Sequence, residues 1–358
     1  MVIGAVDHLE LYVEDVDEWA RQLCQAFGFG VHGNGGPQTG LAGCRSILLR
    51  QRDITILLTA ALDGRHPAAE YVSRHGDGVA VIAVTVADAG RAFTDAVGLG
   101  AVPVEPPVTL SDGSTRVTSA SVIGFGDVVH RFVTRDGADG PFAPGVIEEI
   151  VPAPATDGLF RAVDHLAVCL PAGELAPTVQ RYQEVFGFTE TFEERIIVGA
   201  QAMDSKVVQN PSGGMTLTIL EPDTTRAPGQ IDEFVRSHDG AGVQHIAFLA
   251  DDITMAVREI SGQGVRFLST PASYYEALPA RLGPIGVPVG SLQELNILAD
   301  RDRWGVMLQI FTESRHPRRT LFYEVIDRRG ARSFGSNNIK ALYEAVERQR
   351  AVADVAGP

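Results

Sequence analysis

The sequence predicts an α+β protein that contains two copies of one domain. The segment VDHLELYV at 6–13 recurs as VDHLAVCL at 163–170, and each copy leads into a helix-like stretch that ends in Phe-Gly-Phe. The segment DGVAVIAVTVADA at 77–89 recurs as AGVQHIAFLADDI at 241–253. Self-similar segments in the same order indicate a duplicated unit, here of about 150 residues.

The elements of each copy are predicted in the order strand, helix and several further strands. The stretches GMTLTILE at 214–221 and VQHIAFLA at 243–250 alternate in the way that half-buried strands do. A last repeated pair, DVVHRFVTRDG at 127–137 and TLFYEVIDRRG at 320–330, predicts a closing strand in each copy. The sequence therefore predicts two copies of one fold unit.

The boundary between the copies is predicted near 148–160, where EEIVPAPATDGLF supplies the Pro, Ala and Gly of a linker. We expect domains at 1–150 and 160–358, and the second is longer through 270–320. A C-terminal helix is expected after an Asn pair that is suited to capping. The apolar positions of this helix, at helical spacing, are Ile339, Leu342, Tyr343 and Val346.

The composition is that of an acidic globular protein. Hydrophobic residues make up 45% and charged residues 21%, and the formal net charge is −15. This charge argues against a nucleic-acid partner, because phosphate binding needs basic patches. No apolar run approaches the roughly 20 residues that span a bilayer, and no signal-peptide pattern is visible. The three cysteines form no CxxC pair, which predicts a reduced, cytoplasmic protein.

Three polar residues of the second copy stand out when the copies are aligned. The matched pairs are His165 with His8, His245 with Val81, and Glu324 with Arg131. Each of the three interrupts an apolar strand face, where an ionised carboxylate is costly unless it is paired or bound to a metal. Two imidazoles and a carboxylate on neighbouring strands are the ligands of a facial triad, which holds Fe(II) with open positions for substrate and dioxygen.

Another interpretation of each histidine stays open. A lone histidine on an apolar strand is commonly a hydrogen-bonded core residue, and His238 is a rival ligand in the loop-like stretch before His245. The duplication favours the metal site, since Val81 and Arg131 cannot bind a metal where two ligands would stand. The first copy is therefore interpreted as a scaffold with a degenerate metal site.

Five motifs of the second copy resemble a known family. They are GAGVQHIAF (240–248), FLSTPASYYEAL (267–278), MLQIFT (307–312), TLFYEVIDRRG (320–330) and FGSNNIKALYEAVE (334–347). Together with the duplication, they resemble the vicinal oxygen chelate superfamily and, within it, the family of 4-hydroxyphenylpyruvate dioxygenase and 4-hydroxymandelate synthase. The resemblance spans most of 160–350 and implies duplicated βαβββ modules that form two open mixed-sheet barrels.

The resemblance implies an Fe(II) enzyme that acts on 4-hydroxyphenylpyruvate with dioxygen. The 2-oxo acid of the substrate itself chelates the iron in this family, so no added 2-oxoglutarate is needed. One branch of the family attacks the ring and forms homogentisate. The other hydroxylates the benzylic carbon and forms 4-hydroxymandelate, which supplies hydroxyphenylglycine for antibiotic biosynthesis.

Four positions favour the branch that hydroxylates the benzylic carbon. Dioxygenases of the family typically show Pro-x-Asn-Glu-Pro where this chain has TILEP at 218–222. They also have phenylalanines on the terminal helix at the positions where this chain has Ile339 and Tyr343. Leu220 in place of an amide removes a polar contact to the substrate ring. A reorientation of about 1 Å can decide such an outcome. We therefore predict 4-hydroxymandelate as the product, with homogentisate as the alternative.

The resemblance also implies which residues surround the substrate. Those expected to line its site are Ser205, Thr218, Leu220, Gln309, Phe311, Ile339 and Tyr343. Gln230 and Gln244 match family glutamines of the surrounding polar network, and strand alternation places Gln244 on the face opposite His245. The terminal helix is expected to act as a lid that excludes water.

Two other classes of protein share part of this sequence pattern. A metal-free small-molecule binding protein of the same superfamily would have no reason to keep His165, His245 and Glu324. An extradiol ring-cleaving dioxygenase shares the duplicated architecture and a similar triad, but the motifs between 267 and 347 argue against it. The surface left by the degenerate site could serve a homo-oligomer interface.

Overall fold

The computed structural model of the protein describes residues 1–136, 140–150, 158–335 and 337–338. Two curled mixed β-sheets, one from each half of the chain, form the frame of this part of the molecule. The predicted α+β class and the duplication are confirmed. None of the helices in the described ranges is long and apolar enough to cross a membrane.

Nine strands within the described residues form the first sheet. They are β1 (Ile3–Tyr12), β2 (Gly30–Gly35), β3 (Cys44–Gln51), β4 (Ile54–Ala61), β5 (Gly78–Val86), β6 (Pro103–Ser111), β7 (Arg116–Phe125), β8 (Val128–Asp136) and β9 (Glu148–Glu149). The helices of this half are α1 (Val16–Phe27), α2 (Pro67–His75) and α3 (Ala89–Gly98), with a 3₁₀ turn at Pro37–Thr39.

Eight strands of the described residues form the second sheet. They are β10 (Phe160–Cys169), β11 (Thr189–Val198), β12 (Gln201–Gln209), β13 (Thr216–Pro222), β14 (Gly242–Ala250), β15 (Leu298–Arg301), β16 (Val306–Phe311) and β17 (Phe322–Arg329). Its helices are α4 (Leu175–Glu184), α5 (Gln230–His238), α6 (Ile253–Gly262), α7 (Ala272–Leu282) and α8 (Val289–Glu294).

The two sheets share one topology. The first has the order β6-β7-β8-β5-β1-β4-β3-β2-β9, and the second has the order β15-β16-β17-β14-β10-β13-β12-β11. In each sheet two pairs are parallel, β1 with β4 and β5 with β8, and likewise β10 with β13 and β14 with β17. Three central strands of the second sheet, β10, β14 and β17, carry the predicted metal ligands.

The repeated Phe-Gly-Phe motif ends a helix in each half. Gly28 takes the left-handed conformation after α1, with φ 76°, and its N–H bonds back to the carbonyl of Leu23. Such a helix end favours glycine because it has no Cβ. The flanking Phe27 and Phe29 are both buried. Gly187, with φ 71°, occupies the matching place beyond α4.

A shared apolar core joins the two sheets. The ring of Phe27 in α1 lies 4.8 Å from that of Tyr323 in β17, and the ring of Phe29 lies 5.8 Å from that of Phe248 in β14. Phe248 stacks in turn on Phe160, with ring centroids 5.0 Å apart. These rings pack behind the strands that carry the candidate site, so the first half supports the second from its convex side.

Candidate metal centre

Each of the three predicted ligands comes from a different central strand. His165 lies on β10, His245 on β14 and Glu324 on β17. The ladder pairs Ala167 with His245 and Ala247 with Glu324, which brings the three side chains to one face. The sequence alignment of the copies agrees with the register, because the corresponding pairs of the first sheet contain Val81 and Arg131.

The ligand atoms converge on one point. Nε2 of His165 lies 3.2 Å and Nε2 of His245 lies 3.3 Å from the same carboxylate oxygen of Glu324. One potential ligand atom from each residue lies within 4.8 Å of the others. His165 and Glu324 are buried and His245 is half-buried. Among the described residues, this is the group of His, Cys, Asp and Glu side chains with metal-binding spacing.

Asp164 fixes which nitrogen of His165 faces the site. Nδ1–H of His165 donates to Asp164 over 2.8 Å, which leaves Nε2 free to act as a ligand. Arg328 holds both oxygens of Asp164, at 2.6 and 2.8 Å. The guanidinium of Arg328 also lies over the ring of Phe334, whose edge meets His165.

The first sheet keeps the same supporting group. Asp7 accepts from Nδ1 of His8 at 2.6 Å and is held by Arg135 at 2.8 and 2.9 Å. Arg135 lies over Phe142, whose ring meets His8 edge to face. Four residues in one arrangement thus occur in both halves, although the ligand set occurs in one.

An internal ion pair replaces the ligand set in the first sheet. Arg131 stands at the position of Glu324 and donates to Glu10 over 2.7 Å. Glu10 also accepts from Thr59 over 2.8 Å. Because the buried carboxylate already has a fixed cation as its partner, this site has no need of a metal.

The charges of the triad depend strongly on one another. Burial alone would raise the pKa of Glu324, but the two imidazoles hold it at about 2. Burial disfavours the charged form of His165, yet Glu324 and Asp164 raise its pKa to about 9. Burial lowers the pKa of His245. The carboxylate is therefore ionised and holds a proton on His165 that an incoming cation would displace.

A cavity of about 230 Å³ lies on the open side of the three ligands. The predicted substrate and network residues that line it are Ser205, Thr218, Leu220, Gln230, Gln244, Gln309 and Phe311. Ile339 and Tyr343, and with them the predicted lid helix, lie outside the described residues. Thr218 Oγ1 and Gln309 Oε1 are buried and have no hydrogen-bond partner among the described residues. Both therefore remain available to a ligand in the cavity.

The prediction that Gln244 faces away from His245 is wrong. Gln244 lines the same cavity, and its Oε1 lies 3.3 Å from Nδ1 of His245. The cause is a β-bulge, since the ladder passes from Ala167–His245 to Val168–Val243 and leaves Gln244 without a partner. An extra residue in one strand shifts the alternation of side chains.

The rival ligand His238 lies elsewhere. Its ring stacks on that of His75 of α2, with centroids 4.4 Å apart, and on Phe234 of α5 at 5.0 Å. His75 donates from Nδ1 to the backbone carbonyl of His238 over 2.6 Å. His238 thus belongs to a contact between the two halves and not to the triad.

Comparison with known proteins establishes the family. A sequence model described as the Glyoxalase/Bleomycin resistance protein/Dioxygenase superfamily matches residues 5–127 and 162–310. The 4-hydroxyphenylpyruvate dioxygenase of Dictyostelium discoideum is 32% identical over 96% of this chain and 97% of its own. That of Xenopus tropicalis is 33% identical over 95% and 90%. The chain belongs to the 4-hydroxyphenylpyruvate dioxygenase family.

Two solved structures resemble the whole fold. A triple mutant of 4-hydroxymandelate synthase from Streptomyces coelicolor is 43% identical, with a TM-score of 0.87, over 98% of this chain and 100% of that one. A fusion of a xylose isomerase-like TIM barrel with a 4-hydroxyphenylpyruvate dioxygenase is 23% identical, with a TM-score of 0.75, over 97% of this chain and 53% of its own. The second likeness concerns the fold alone.

The donor set fits the iron of this dioxygenase family. Two imidazole nitrogens and one carboxylate oxygen on one side of a cavity are the ligand types of a facial triad. The buried carboxylate of Glu324 requires a cationic partner, as the buried carboxylate of Glu10 does in the first sheet, where Arg131 supplies it. A divalent cation between the three ligand atoms would meet that requirement.

Several residues around the cavity were missed by reasoning from the sequence. The apolar lining also includes Phe192, Ile196, Met203, Leu268, Phe322 and Phe334. The support of His165 by Asp164 and Arg328 was missed as well. The repeat itself contains a signal for this pair, because both copies read Asp-His, and Arg135 aligns with Arg328.

Proposed function

We propose that this chain converts 4-hydroxyphenylpyruvate and dioxygen to 4-hydroxymandelate and CO₂. The proposal rests on the triad of His165, His245 and Glu324 at the wall of a largely apolar cavity. The choice of product is supported by the solved 4-hydroxymandelate synthase, which is 43% identical, whereas the dioxygenases from Dictyostelium and Xenopus are 32% and 33% identical.

In this proposal His165, His245 and Glu324 hold Fe(II). The chemistry that Fe(II) supplies when bound is a template for the 2-oxo acid and the activation of dioxygen. Asp164 keeps the tautomer of His165 that presents Nε2 to the metal. We place the domain boundary between 150 and 160, with the first domain as scaffold and residues 160–358 as the catalytic domain.

The cavity residues of this chain orient the substrate. Thr218 and Gln309 offer buried oxygen atoms that have no partner among the described residues, and these can meet the polar groups of the substrate. Phe311 and Phe322 pack beside His245 and keep water from the reacting carbon. Ser205, Gln230 and Gln244 complete the polar lining, and Ile339 and Tyr343 are proposed to close it.

Leu220 is proposed to favour attack on the benzylic carbon. Its side chain is buried in an apolar cluster with Ile196, Met203 and Ile231. This wall cannot bind the phenol or the ring edge through a hydrogen bond. The ring is therefore free to turn so that the benzylic carbon, and not the ring carbon, faces the metal.

Product identity tests the proposal. The Fe(II) protein is incubated with 4-hydroxyphenylpyruvate, ascorbate and air, and the products are separated by chromatography against both isomers. We expect 4-hydroxymandelate. Homogentisate would overturn the choice of product but not the family, whereas a protein that takes up no iron and forms no product would favour a metal-free binding protein.

A further inference from the structure

A second cavity of about 650 Å³, here called the outer chamber, adjoins the metal-site cavity, here called the inner cavity. Two residues of β13 line different cavities: Thr216 lines the outer chamber, and Thr218 lines the inner cavity. Phe192 and Phe334 line both spaces. The two half-buried rings therefore stand at the boundary between them.

An exposed indole with two guanidinium groups stands at the rim of the outer chamber. Trp304 is 47% exposed and lines the chamber. The guanidinium carbons of Arg303 and Arg332 lie 4.0 and 5.2 Å from the centre of its ring. Stacking of this kind holds the arginines in place while their N–H groups stay available to an anion.

The charges at this rim favour an anionic ligand. Asp164 is neutralised by Arg328, and the carboxylate of Asp302 accepts backbone N–H groups of the loop and of the segment after β17. Arg303 and Arg332 have no ion pair with any described residue. The rim is thus cationic in a chain whose formal net charge is −15.

We propose that the outer chamber is a capture site for the aromatic 2-oxo acid substrate. The carboxylate pairs with Arg332 and Arg303, and the aromatic ring packs on Trp304. From there the substrate passes between Phe192 and Phe334 to the inner cavity. This inference rests on the proposed function, because it takes an anionic arylpyruvate to be the ligand.

The boundary residue Phe334 also contacts the metal site. Its ring lies under Arg328 and meets His165 edge to face, with centroids 5.4 Å apart. The inner cavity has a second rim at Leu268, which is 50% exposed, and at Gln230. No arginine or lysine lines the inner cavity among the described residues, so the outer chamber is the cationic approach.

Anaerobic binding kinetics test the capture site, because the substrate binds without turnover when oxygen is absent. The Fe(II) protein is mixed with 4-hydroxyphenylpyruvate in a stopped-flow instrument, and tryptophan fluorescence is followed at several salt concentrations. The chain has two tryptophans, so Trp304→Phe in the otherwise unchanged protein shows which part of the signal comes from Trp304. The test variant is Arg303→Gln/Arg332→Gln.

The matched control is Arg65→Gln/Arg91→Gln, which removes the same charge from exposed side chains of the first half. We expect the association rate constant at low salt to fall about tenfold in the test variant and to lose its salt dependence, while the control behaves as the wild type. Equal association rates in both double variants would overturn the capture site and leave the proposed function intact. Failure of the wild type to bind the substrate would overturn both, whereas homogentisate as the product would overturn only the branch.

Discussion

At the scale of single residues, Asp164 is the clearest example of a side chain that acts through its neighbour. It orients His165 and is itself held by Arg328. We expect Asp164→Asn to weaken Fe(II) binding about 10- to 100-fold, because the imidazole loses its charged acceptor. Calorimetric titration of the metal-free protein with Fe(II) under anaerobic conditions measures this change.

Asp7→Asn is the matched control for that variant. Asp7 makes the same contacts to His8 and Arg135 but supports no triad. Both substitutions leave an arginine without its carboxylate partner, so both should lower the free energy of unfolding. Equal loss of metal affinity in the two variants would show that Asp164 acts only through stability.

Thr218 gives a second prediction at this scale. Its buried hydroxyl has no partner in the part of the chain that the structure describes, so Thr218→Val should leave the free energy of unfolding unchanged or slightly higher. We expect the KM for 4-hydroxyphenylpyruvate to rise roughly 5- to 10-fold, since a hydrogen bond to the substrate is worth about 1 kcal/mol. The contrasting variant is Thr59→Val. The hydroxyl of Thr59 donates to Glu10, so its loss should lower the free energy of unfolding. An unchanged KM for Thr218→Val would remove this residue from the substrate site.

At the scale of elements, the strands show what the sequence can and cannot predict. Alternation and the internal repeat were enough to select His165, His245 and Glu324, because all three interrupt apolar strand faces and the first copy has Val81 and Arg131 in place of the last two. The bulge at Gln244 was not predictable, since the extra residue leaves the local pattern unchanged and appears only in the ladder. A bulge at Asp164 hides the support of His165 in the same way.

The segment after β17 constrains the inner cavity through a glycine. Gly335 has φ 74°, and a Cβ there would overlap the side-chain amide of Gln309. Gly335→Ala should displace Gln309 and lower kcat/KM for 4-hydroxyphenylpyruvate at least tenfold, because a shift of about 1 Å at a positioning residue can have this effect. Gly264→Ala is the control, since it has φ 83° but open space around the position of a Cβ. Similar losses of activity in both variants would attribute the effect to backbone strain alone.

At the scale of the whole molecule, the duplication explains why the fold was predictable and why its assembly was not. Repeated segments gave the order of elements and the degenerate first copy. The contacts between the halves depend on residues that the repeat does not mark, such as His130 of β8, which contacts the Tyr182 hydroxyl of α4 at 2.5 Å. His130 comes from the first copy and His238 from the second, and both are buried.

These interface histidines predict an acid-sensitive stability. Burial lowers the pKa of His238 to about 3 and that of His130 to about 4, from 6.5. The unfolded chain therefore binds more protons below pH 6.5, so their contribution is complete above that pH and is lost as the pH falls toward 4. Each group should contribute a slope of about 1.4 kcal/mol per pH unit.

Urea unfolding between pH 7.5 and 5 measures this slope in the wild type and in His238→Gln. The slope of the variant should fall below that of the wild type under pH 6.5, and near pH 5 the difference should approach one proton, or about 1.4 kcal/mol per pH unit. His32→Gln is the contrasting variant: burial lowers the pKa of this half-buried histidine of β2 as well, and because the side chain is less buried than His238 the slope should change less. Identical slopes in the wild type and His238→Gln would contradict a neutral His238 in the folded protein.

The central claim is that the triad of the second half holds Fe(II) and that the cavity beside it directs oxidation to the benzylic carbon. The most direct measurement is an NMR spectrum of the product formed from 4-hydroxyphenylpyruvate that carries ¹³C at this carbon, with Glu324→Gln as the metal-site control. We predict that the labelled carbon appears as a CH bearing a hydroxyl group and that the control forms no product. A labelled CH₂ group, as in homogentisate, would contradict the account.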